Sequence, residues 1–420
     1  MASYGGKISK HNSASRLSER TINIVKDCAP ALKGHGLSIT SHMYDLMFQH
    51  HPEVFSLFNP VNNKAGEQPK SLARAMLAYA EHIDDLAALG PRINQIAHKH
   101  VSLDIKAEHY DVVGANLLKA IDDVLNPGQE CLDAWQEAYA FLAQIFVQSE
   151  ADIYRSVKNI PGGWEGFRPF VIDKKEKSGN TMSLYLKPKD GNALPAFCPG
   201  QYVAIKVPSN DPKRSFELRN FSLSGRSQQD HYRLTVKDRV SHDPGIPDGL
   251  VSQMAHTMEV GEVVELSPPV GDFVLKTDTQ EPTILLSAGV GLTPMLSMVS
   301  DIAAHYPHME TFYIHTTQNT QSHAFKEYIE DLAQNHEHIR QFVCYTEPRE
   351  GDTCDHKGQL TEDILKSVLS SNKEGHFYIC GPSSFLERMV HILHTWGTPK
   401  DHIHYEFFSP EKEMSVSFSE

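Results

Sequence analysis

The spacing of apolar residues changes at one segment, Asn159 to Trp164 (NIPGGW), and this change is the strongest constraint on the fold. Before it, apolar residues recur at steps of three and four, as amphipathic helices require. In the first helical run, residues 16–50, the side chains expected to face inward are Ile22, Val25, Leu32, Leu37, Ile39, Met43, Leu46 and Met47. In the last run they are Leu132, Trp135, Tyr139, Leu142 and Phe146. Helices of this kind predict an all-α globular domain over residues 15–155.

Beyond the segment, short runs alternate between apolar and polar residues. The strand candidates are residues 170–173, 181–186, 201–207, 232–236 and 262–267. Their spacing predicts an antiparallel β-barrel domain over residues 163–276. From Glu281, apolar strands alternate with helices, which predicts a doubly wound parallel α/β domain over residues 281–412. A chain of 420 residues is long enough for three domains.

Charge and cysteine content exclude several classes of function. A net charge of −14 repels nucleic-acid phosphates and anionic lipid surfaces. No apolar run reaches the roughly 18 residues of a membrane span, and the first residues lack the apolar core of a signal peptide. The six cysteines are scattered without close pairing, which argues against a disulfide framework, a zinc site and an iron–sulfur cluster. We therefore expect a cytoplasmic monomer whose partners are small molecules.

The stretch Ile96 to Tyr110 (IAHKHVSLDIKAEHY) places two histidines on a short predicted helix. A neutral imidazole in such a helix binds a metal through one ring nitrogen while the other donates to an acceptor nearby. A haem iron held by a proximal histidine needs this arrangement. We interpret His98 as solvated or locally hydrogen-bonded. For an isolated His100 the same interpretation would hold, and its role depends on the residues around it.

Two motifs give His100 such surroundings. The segment HMYDLMFQHHPEVFSLFN carries Tyr44, Pro52 and Phe58 at a spacing typical of globins, and KHVSL carries His100 at the position of a proximal ligand. With these motifs, residues 15–155 resemble a globin, and the whole chain resembles the flavohaemoglobins, in which a globin is fused to a flavin reductase. The resemblance implies that His100 binds the iron of haem b.

The resemblance also assigns a haem pocket. It implies that Phe58 and Leu72 line the haem, that Tyr44 and Gln68 (in AGEQPKSL) reach the distal side of the iron, and that Lys99 points toward the flavin. A phenol and an amide N–H can hydrogen-bond the partly negative outer oxygen of bound O2. Without the resemblance, Tyr44 would be interpreted as a core residue and Gln68 as a surface residue.

On the proximal side, Tyr110 and Glu150 match the positions that form a hydrogen-bonded relay with the proximal histidine in flavohaemoglobins. A carboxylate beside the donating nitrogen of His100 increases electron donation to the iron and favours activation of oxygen over storage. The alternative is that Glu150 is an ordinary exposed residue near the end of a helix.

A flavin motif is expected in the barrel. The sequence RNFS resembles the R-x-Y-S signature of ferredoxin-reductase-type flavin domains, and PGQY lies ahead of it. The expected FAD contacts are Tyr202, Arg219, Asn220, Phe221 and Ser222. Arg219 suits the diphosphate because its guanidinium binds bidentately, and Phe221 suits the isoalloxazine ring. Phe221 replaces the usual tyrosine, so a hydroxyl contact is lost.

Two later segments complete the expected FAD site. The segment GLVS, residues 249–252, offers backbone N–H groups to phosphate. Its predicted contacts are Gly249, Val251 and Ser252. The C-terminal segment EFFSP brings Phe407 and Phe408 to the flavin, where Phe408 covers the ring until nicotinamide displaces it. This segment has Ser409 where the family commonly has glycine.

The nucleotide site is expected at two turns of the α/β domain. In PTILLSAGVGLTPML, a strand is followed by glycines and a helix start, so backbone amides can approach a diphosphate. The predicted contacts there are Gly289, Val290, Gly291, Leu292, Thr293 and Pro294. The turn Cys380, Gly381 and Pro382 resembles the nicotinamide-side motif of the reductases. We expect NADH or NADPH as the reductant.

The resemblance implies a nitric oxide dioxygenase. In that function, NAD(P)H reduces FAD, FAD reduces the haem, and oxygen-bound ferrous haem converts nitric oxide to nitrate. Two other classes stay open. One is an oxygen-binding sensor or carrier with a built-in reductase for oxidised haem, and the other is a general NAD(P)H reductase of flavins or iron.

Overall fold

The computed structural model describes residues 17–58, 66–209, 211–238, 250–370 and 372–408. Up to residue 159 every described element is a helix. The helices are α1 (Glu19–Asp27), α2 (Ala29–His50), α3 (Glu67–Glu81), α4 (Gly90–Ser102), α5 (Ala107–Leu125) and α6 (Gln129–Asn159), with a 3₁₀ helix at Pro52–Leu57. Among the described helices, none has both the length and the apolar character needed to cross a lipid bilayer.

Helix boundaries follow local chemistry. The hydroxyl of Ser18 caps α1 by accepting a hydrogen bond of 3.0 Å from the Thr21 N–H. The run of residues 16–50 is two helices rather than one, because Pro30 in the first turn of α2 has no N–H to continue the preceding helix. Leu37, predicted to face inward, is 47% exposed because Ile39, Met43 and Met47 form the buried face of α2.

The second part is an antiparallel barrel, as predicted. Its strands are β1 (Arg168–Ser178), β2 (Thr181–Pro188), β3 (Tyr202–Pro208), β4 (Phe216–Ser222), β5 (Tyr232–Lys237) and β6 (Val263–Leu266), and their order is β4-β3-β6-β1-β2-β5. A bridge between Leu223 and Leu234 connects the end of β4 to β5, so the two edges of the sheet meet. Helix α7 (Leu250–Thr257) packs Val251 and Ala255 into the barrel core.

The third part is a parallel sheet with helices on both faces. Its strands are β7 (Thr283–Ala288), β8 (Thr311–Thr317), β9 (Ile339–Tyr345), β10 (His356–Lys357), β11 (His376–Cys380) and β12 (Ile403–Glu406). Its helices are α8 (Leu292–His305), α9 (Lys326–Asn335), α10 (Glu362–Leu369) and α11 (Ser383–Trp396). The strand order β10-β9-β8-β7-β11-β12 confirms the doubly wound fold. The order reverses between β7 and β11, and a crevice at such a reversal binds nucleotides in this fold.

Helix α6 continues to Asn159, beyond the predicted end of the first domain at residue 155. The segment between the end of this helix and Arg168, where β1 begins, is the connection that was predicted as a linker. The domain boundaries 15–155, 163–276 and 281–412 stay a proposal.

Candidate functional site

His100 lies in the last turn of α4 and contacts two residues on the neighbouring helices. Its Nδ1 is 2.7 Å from Oε1 of Glu150 on α6 and 2.9 Å from the hydroxyl of Tyr110 on α5. The Tyr110 hydroxyl also donates to Glu150. Since Nδ1 faces a carboxylate, it carries the ring proton, and the lone pair of Nε2 is left for a metal. The side chain of Glu150 is only 3% exposed, so the alternative of an exposed glutamate is wrong.

Tyr110 is held in this triad by a second tyrosine. The hydroxyl of Tyr139 donates to the backbone carbonyl of Tyr110 over 2.6 Å. This approach requires Gly114, because a Cβ there would lie 2.4 Å from Cε1 of Tyr139. Burial, reinforced by the charge of Glu150, raises the pKa of Tyr110, so its phenol stays protonated and donates.

The predicted distal residues lie on two helices that are tied together. Tyr44 on α2 is buried, and its ring meets that of Phe58 edge-on at 5.4 Å. One turn earlier, the hydroxyl of Thr40 donates to the carbonyl of Pro69, next to Gln68 on α3. Burial raises the pKa of Tyr44, which keeps its phenol a hydrogen-bond donor.

Gln68 carries a buried polar atom that lacks a partner among the described residues. Its Oε1 is buried, and no hydrogen-bonding group of the described residues reaches it. A buried amide oxygen without a donor is costly, and turning the amide by 180° would place its NH2 group at this position, where it could donate to a polar ligand of a haem iron. Phe58 and Leu72 are partly buried against the helical core, as residues lining such a pocket would be.

Helix α4 also contacts the barrel, through residues on either side of His100. The Gly271 N–H donates to Nδ1 of His98 over 3.1 Å, and the Ser102 hydroxyl lies 3.2 Å from Oδ1 of Asn220 in the RNFS motif. The prediction that His98 is solvated or locally bonded is therefore wrong, since its partner lies 173 residues away. Lys99 is half-buried on the same helix, and its contact with the flavin stays a prediction.

The RNFS motif on β4 has the features of an anion and flavin site. Arg219 is half-buried, and burial lowers its pKa to about 10. The carboxylate of Glu217, 3.8 Å away, has the opposite effect and raises this pKa. The hydroxyl of Ser222 is buried without a hydrogen-bond partner among the described residues. Phe221 lies against the barrel core. A guanidinium with one distant carboxylate fits the diphosphate of FAD. An unsatisfied hydroxyl fits the edge of the flavin ring.

The remaining predicted FAD contacts divide into three groups. Tyr202 lies opposite Ser222 in the β3–β4 register and packs against a small apolar cluster formed by Val101, Val157 and Val270. Val251 is buried in the barrel core, so only its backbone is available to phosphate. The residues outside the described part of the chain are Gly249 and Ser409, together with the side chain of Ser252.

The two C-terminal phenylalanines differ in their surroundings. Phe407 is buried in the core of the third domain and packs edge-on against Tyr405 at 5.6 Å. Phe408 is 46% exposed and remains the candidate for the side chain that covers the flavin. The predicted flavin contact of Phe407 stays a prediction, although its ring is occupied by packing.

The two predicted nucleotide motifs meet at the reversal of the parallel sheet. The turn Gly289–Gly291 follows β7, and a Cβ on Gly291 would lie 2.1 Å from the carbonyl oxygen of Cys380 at the end of β11. Helix α8 begins directly after this turn, at Leu292, with Thr293 and Pro294 in its first turn. Such a helix start presents N–H groups to a diphosphate. Burial raises the pKa of the Cys380 thiol well above its usual range, so this thiol stays protonated.

Sequence reasoning missed a charged pair that joins the barrel to the haem pocket. Arg214 and Glu217 have side chains that are each 1% exposed, and they form an ion pair of 2.9 Å. Arg214 also donates to the carbonyl of Phe58 and lies 4.7 Å from the ring of Phe55. Charged residues next to a strand are usually solvated, and the sequence contains no signal that marks this pair as buried.

Comparisons with known proteins agree with this arrangement. Three family models match the chain: Globin over residues 41–146, Oxidoreductase FAD-binding domain over 169–275, and Oxidoreductase NAD-binding domain over 285–391. The flavohemoprotein of Halalkalibacterium halodurans is 40% identical over 413 residues, which cover 96% of this chain and 100% of the relative. The chain belongs to the flavohemoprotein family. The flavohemoprotein of Bacillus subtilis is 39% identical, with the same coverage.

Solved structures of flavohemoproteins support the fold. A flavohemoglobin from Malassezia yamatoensis, with bound FAD and heme, superposes with a TM-score of 0.81 over 94% of this chain and 100% of its own, at 24% identity. The FAD/NAD-binding domain of a nitric oxide dioxygenase from Vibrio cholerae matches with a TM-score of 0.52 and 31% identity, over 57% of this chain and 97% of its own. As a flavohemoprotein, the chain is an oxidoreductase that uses haem, FAD and a nicotinamide nucleotide.

Proposed function

We propose that this flavohemoprotein is a nitric oxide dioxygenase that uses NAD(P)H and O2 to convert nitric oxide to nitrate. The observation that carries the proposal is the contact of His100 with Glu150 and Tyr110. A buried carboxylate on the proximal imidazole increases its donation to iron, and this favours the activation of oxygen over reversible binding. The Vibrio cholerae protein that is named a nitric oxide dioxygenase supports the same activity by likeness at 31% identity.

The bound cofactors would supply two-electron uptake from NAD(P)H at FAD, single-electron transfer to iron, and an iron site for O2. His100 would hold the iron through Nε2, since its other nitrogen is engaged by Glu150. Arg219 would hold the FAD diphosphate. The turn Gly289–Gly291 and the start of α8 would hold the diphosphate of the nicotinamide nucleotide.

Tyr44 and Gln68 would orient the reactants on the distal side. The phenol of Tyr44 stays protonated because it is buried, so it can donate to a ligand that becomes partly negative. The amide of Gln68 lacks a donor for its buried oxygen among the described residues, and a rotation of the amide by 180° would bring its NH2 group there to donate to a bound ligand. Phe58, edge-on to Tyr44, would help to exclude water from the same pocket.

The test separates this function from the two other classes. The purified protein, loaded with haem and FAD, should consume nitric oxide with NAD(P)H and O2 and yield nitrate in equal amount. An oxygen carrier or sensor would bind O2 without sustained formation of nitrate. The His100→Ala variant should lose nitric oxide turnover and keep NAD(P)H-driven reduction of ferricyanide at the flavin. Full nitric oxide turnover by His100→Ala would refute the proposal, and ferricyanide reduction without any nitric oxide turnover by the unaltered protein would indicate a general reductase.

We also propose that the protein acts as a cytoplasmic monomer, because the haem, flavin and nucleotide motifs all lie within one chain. Sedimentation of the loaded protein at working concentration tests the monomer. A species of twice the mass would contradict it.

A further inference from the structure

Two cysteines that are distant in sequence have their sulfur atoms in contact. The Sγ atoms of Cys28 and Cys131 are 3.2 Å apart, although 103 positions separate the residues. Cys28 joins α1 to α2, and Cys131 lies in the first turn of α6. Both thiols are free in the structure, and the spacing of the cysteines in the sequence did not predict their contact. Both side chains are partly buried against the core of the helical domain.

The packing of α1 on α6 fixes this approach. Arg20 of α1 forms an ion pair of 2.7 Å with Glu130, next to Cys131 in sequence. Further along the same two helices, the hydroxyl of Thr21 donates to Glu137. A disulfide needs an S–S distance of about 2.05 Å, so the two sulfur atoms must approach by roughly 1 Å. A side-chain adjustment of that size leaves the helices in place.

We propose that Cys28 and Cys131 are a reversible dithiol–disulfide pair that is oxidised by hydrogen peroxide. The Cys28 thiolate attacks one peroxide oxygen, the O–O bond breaks, and a sulfenic acid and one water form after proton transfer. The Cys131 sulfur then attacks the sulfenic sulfur, the S–S bond forms, and a second water leaves. Two thiols lose two electrons and two protons in total, and one peroxide is reduced to two waters.

The surroundings assign the order of these steps. Burial is the main cause that raises the pKa of the Cys131 thiol to about 12, and the contact with Cys28 is the second cause. A thiol that stays protonated attacks peroxide slowly, so the first attack is assigned to Cys28, and Cys131 loses its proton as it attacks the sulfenic sulfur. The buried thiols of Cys344 and Cys380 are shielded from peroxide, whereas Cys198 is exposed and provides a matched control.

The proposed bond closes a loop that contains much of the haem pocket. Residues 28–131 include α2 to α5, and hence Tyr44, Gln68, His100 and Tyr110. A cross-link over a loop of this length restricts the unfolded chain and stabilises the folded helical domain. The oxidised protein should therefore retain its haem domain at temperatures at which the reduced protein unfolds.

The experiment treats the full-length protein, loaded with haem and FAD, with an equimolar amount of hydrogen peroxide. Intact mass should fall by about 2 Da, with dithiothreitol restoring it. Peptide mapping should join Cys28 to Cys131. The thermal midpoint, followed at the Soret band, should rise by roughly 5–10 °C. The Cys198→Ser protein should behave in the same way, whereas Cys28→Ser should show neither the cross-link nor the rise.

A gain of oxygen at Cys28 as sulfinic acid, with Cys131 left as a thiol, would overturn the proposal. So would a cross-link that does not change the thermal midpoint. If Cys28→Ser fails to fold, Cys131→Ala removes the same bond from α6. In that variant, trapping of a sulfenic acid at Cys28 by dimedone is the expected result, and absence of the adduct contradicts the assigned order.

Discussion

The guanidinium of Arg214 donates a hydrogen bond to the backbone carbonyl of Phe58, and so connects the flavin-type barrel to the segment that borders the haem pocket. The same guanidinium pairs with Glu217 at 2.9 Å, and both side chains are 1% exposed. Glu217 also lies 3.8 Å from Arg219, the predicted ligand of the FAD diphosphate. One buried carboxylate therefore lies between a group that would bind FAD and a group that contacts the haem domain.

Replacing Arg214 should weaken the connection between the two domains. In Arg214→Met, Glu217 keeps a buried charge without its main partner, which costs on the order of 3–5 kcal/mol. We expect reduction of haem by NAD(P)H to slow at least tenfold, with flavin reduction unchanged, in stopped-flow spectra. The exposed neighbour Lys213 provides the control variant Lys213→Met. Equal haem reduction rates in the two variants would show that Arg214 does not couple the domains.

The carboxylate of Glu150 should set the reactivity of the iron that His100 holds. Glu150→Gln keeps the size of the side chain but removes the charge that faces Nδ1 of His100 at 2.7 Å. We expect nitric oxide turnover to fall by roughly 10–100-fold, with ferricyanide reduction unchanged. The Fe–His stretching frequency in Raman spectra of the ferrous protein should fall as well. An exposed residue of the same helix provides the control Asp152→Asn. An unchanged frequency in Glu150→Gln would contradict the assigned role.

Two glycines in helices of the haem domain should respond oppositely to alanine. A Cβ at Gly114 would lie 2.4 Å from the Tyr139 ring, so Gly114→Ala must displace the tyrosine that holds Tyr110. This overpacking should lower stability by about 1–3 kcal/mol. At Gly34, on an exposed part of α2, a Cβ meets no atom within 4 Å, so Gly34→Ala should raise stability by about 0.5–1 kcal/mol. Thermal unfolding followed at the haem band measures both. A stable Gly114→Ala protein with unchanged activity would show that Tyr139 is not needed.

Three stacked histidines at the end of the parallel sheet should make the nucleotide domain sensitive to acid. Burial lowers the pKa of His376 to about 4 and that of His404 to about 3. His402 stacks on His376 at 4.0 Å, and Lys276 opposes protonation, whereas Glu281 and Asp401 favour it. Lys276 and Glu281 precede β7, and Asp401 lies with His402 in the 3₁₀ helix before β12.

The sign of the pH effect follows from these shifts. Above about pH 6.5 both histidines are neutral in the folded and unfolded chains, and stability is complete. Below that value the unfolded chain binds protons at these histidines and the folded chain does not. The free energy of unfolding therefore falls as the pH is lowered toward 4. Calorimetry between pH 7 and pH 5 should show a falling midpoint for this domain. His404→Gln should flatten the dependence, whereas the exposed His82→Gln should not. An identical slope in both variants would contradict the prediction.

Local patterns in the sequence identified most of the elements and their order, but they missed strand β4 and helix α7 of the barrel domain. The period of apolar residues identified the helical part, the barrel and the parallel sheet, because burial of one face imposes that period. The group of His100, Tyr110 and Glu150 was predicted only through the resemblance to a family. Their contacts depend on how three helices pack, and helical spacing does not determine that packing.

The contacts that were not predicted share one cause, which is the distance along the chain between the partners. The partner of His98 is a backbone N–H 173 residues away, and the partner of Cys28 is 103 positions away. Arg214 was missed because a charged residue outside a strand is normally solvated. In each case the deciding contact lies between elements whose relative placement no local pattern encodes.

Helix α4 has a consequence for building chimeric proteins from this family. It presents His100 to the haem side while Asn94, His98 and Ser102 meet the barrel, and these contacts are independent of the linker between the domains. A globin domain transplanted from a relative would therefore have to be accompanied by the barrel residues that its own helix contacts. In this chain those residues are Asn220 and the Gly271–Asp272 turn. Exchange at the linker alone would join two folded parts that lack these contacts. The haem site and the flavin site would then not be held in the correct relative position.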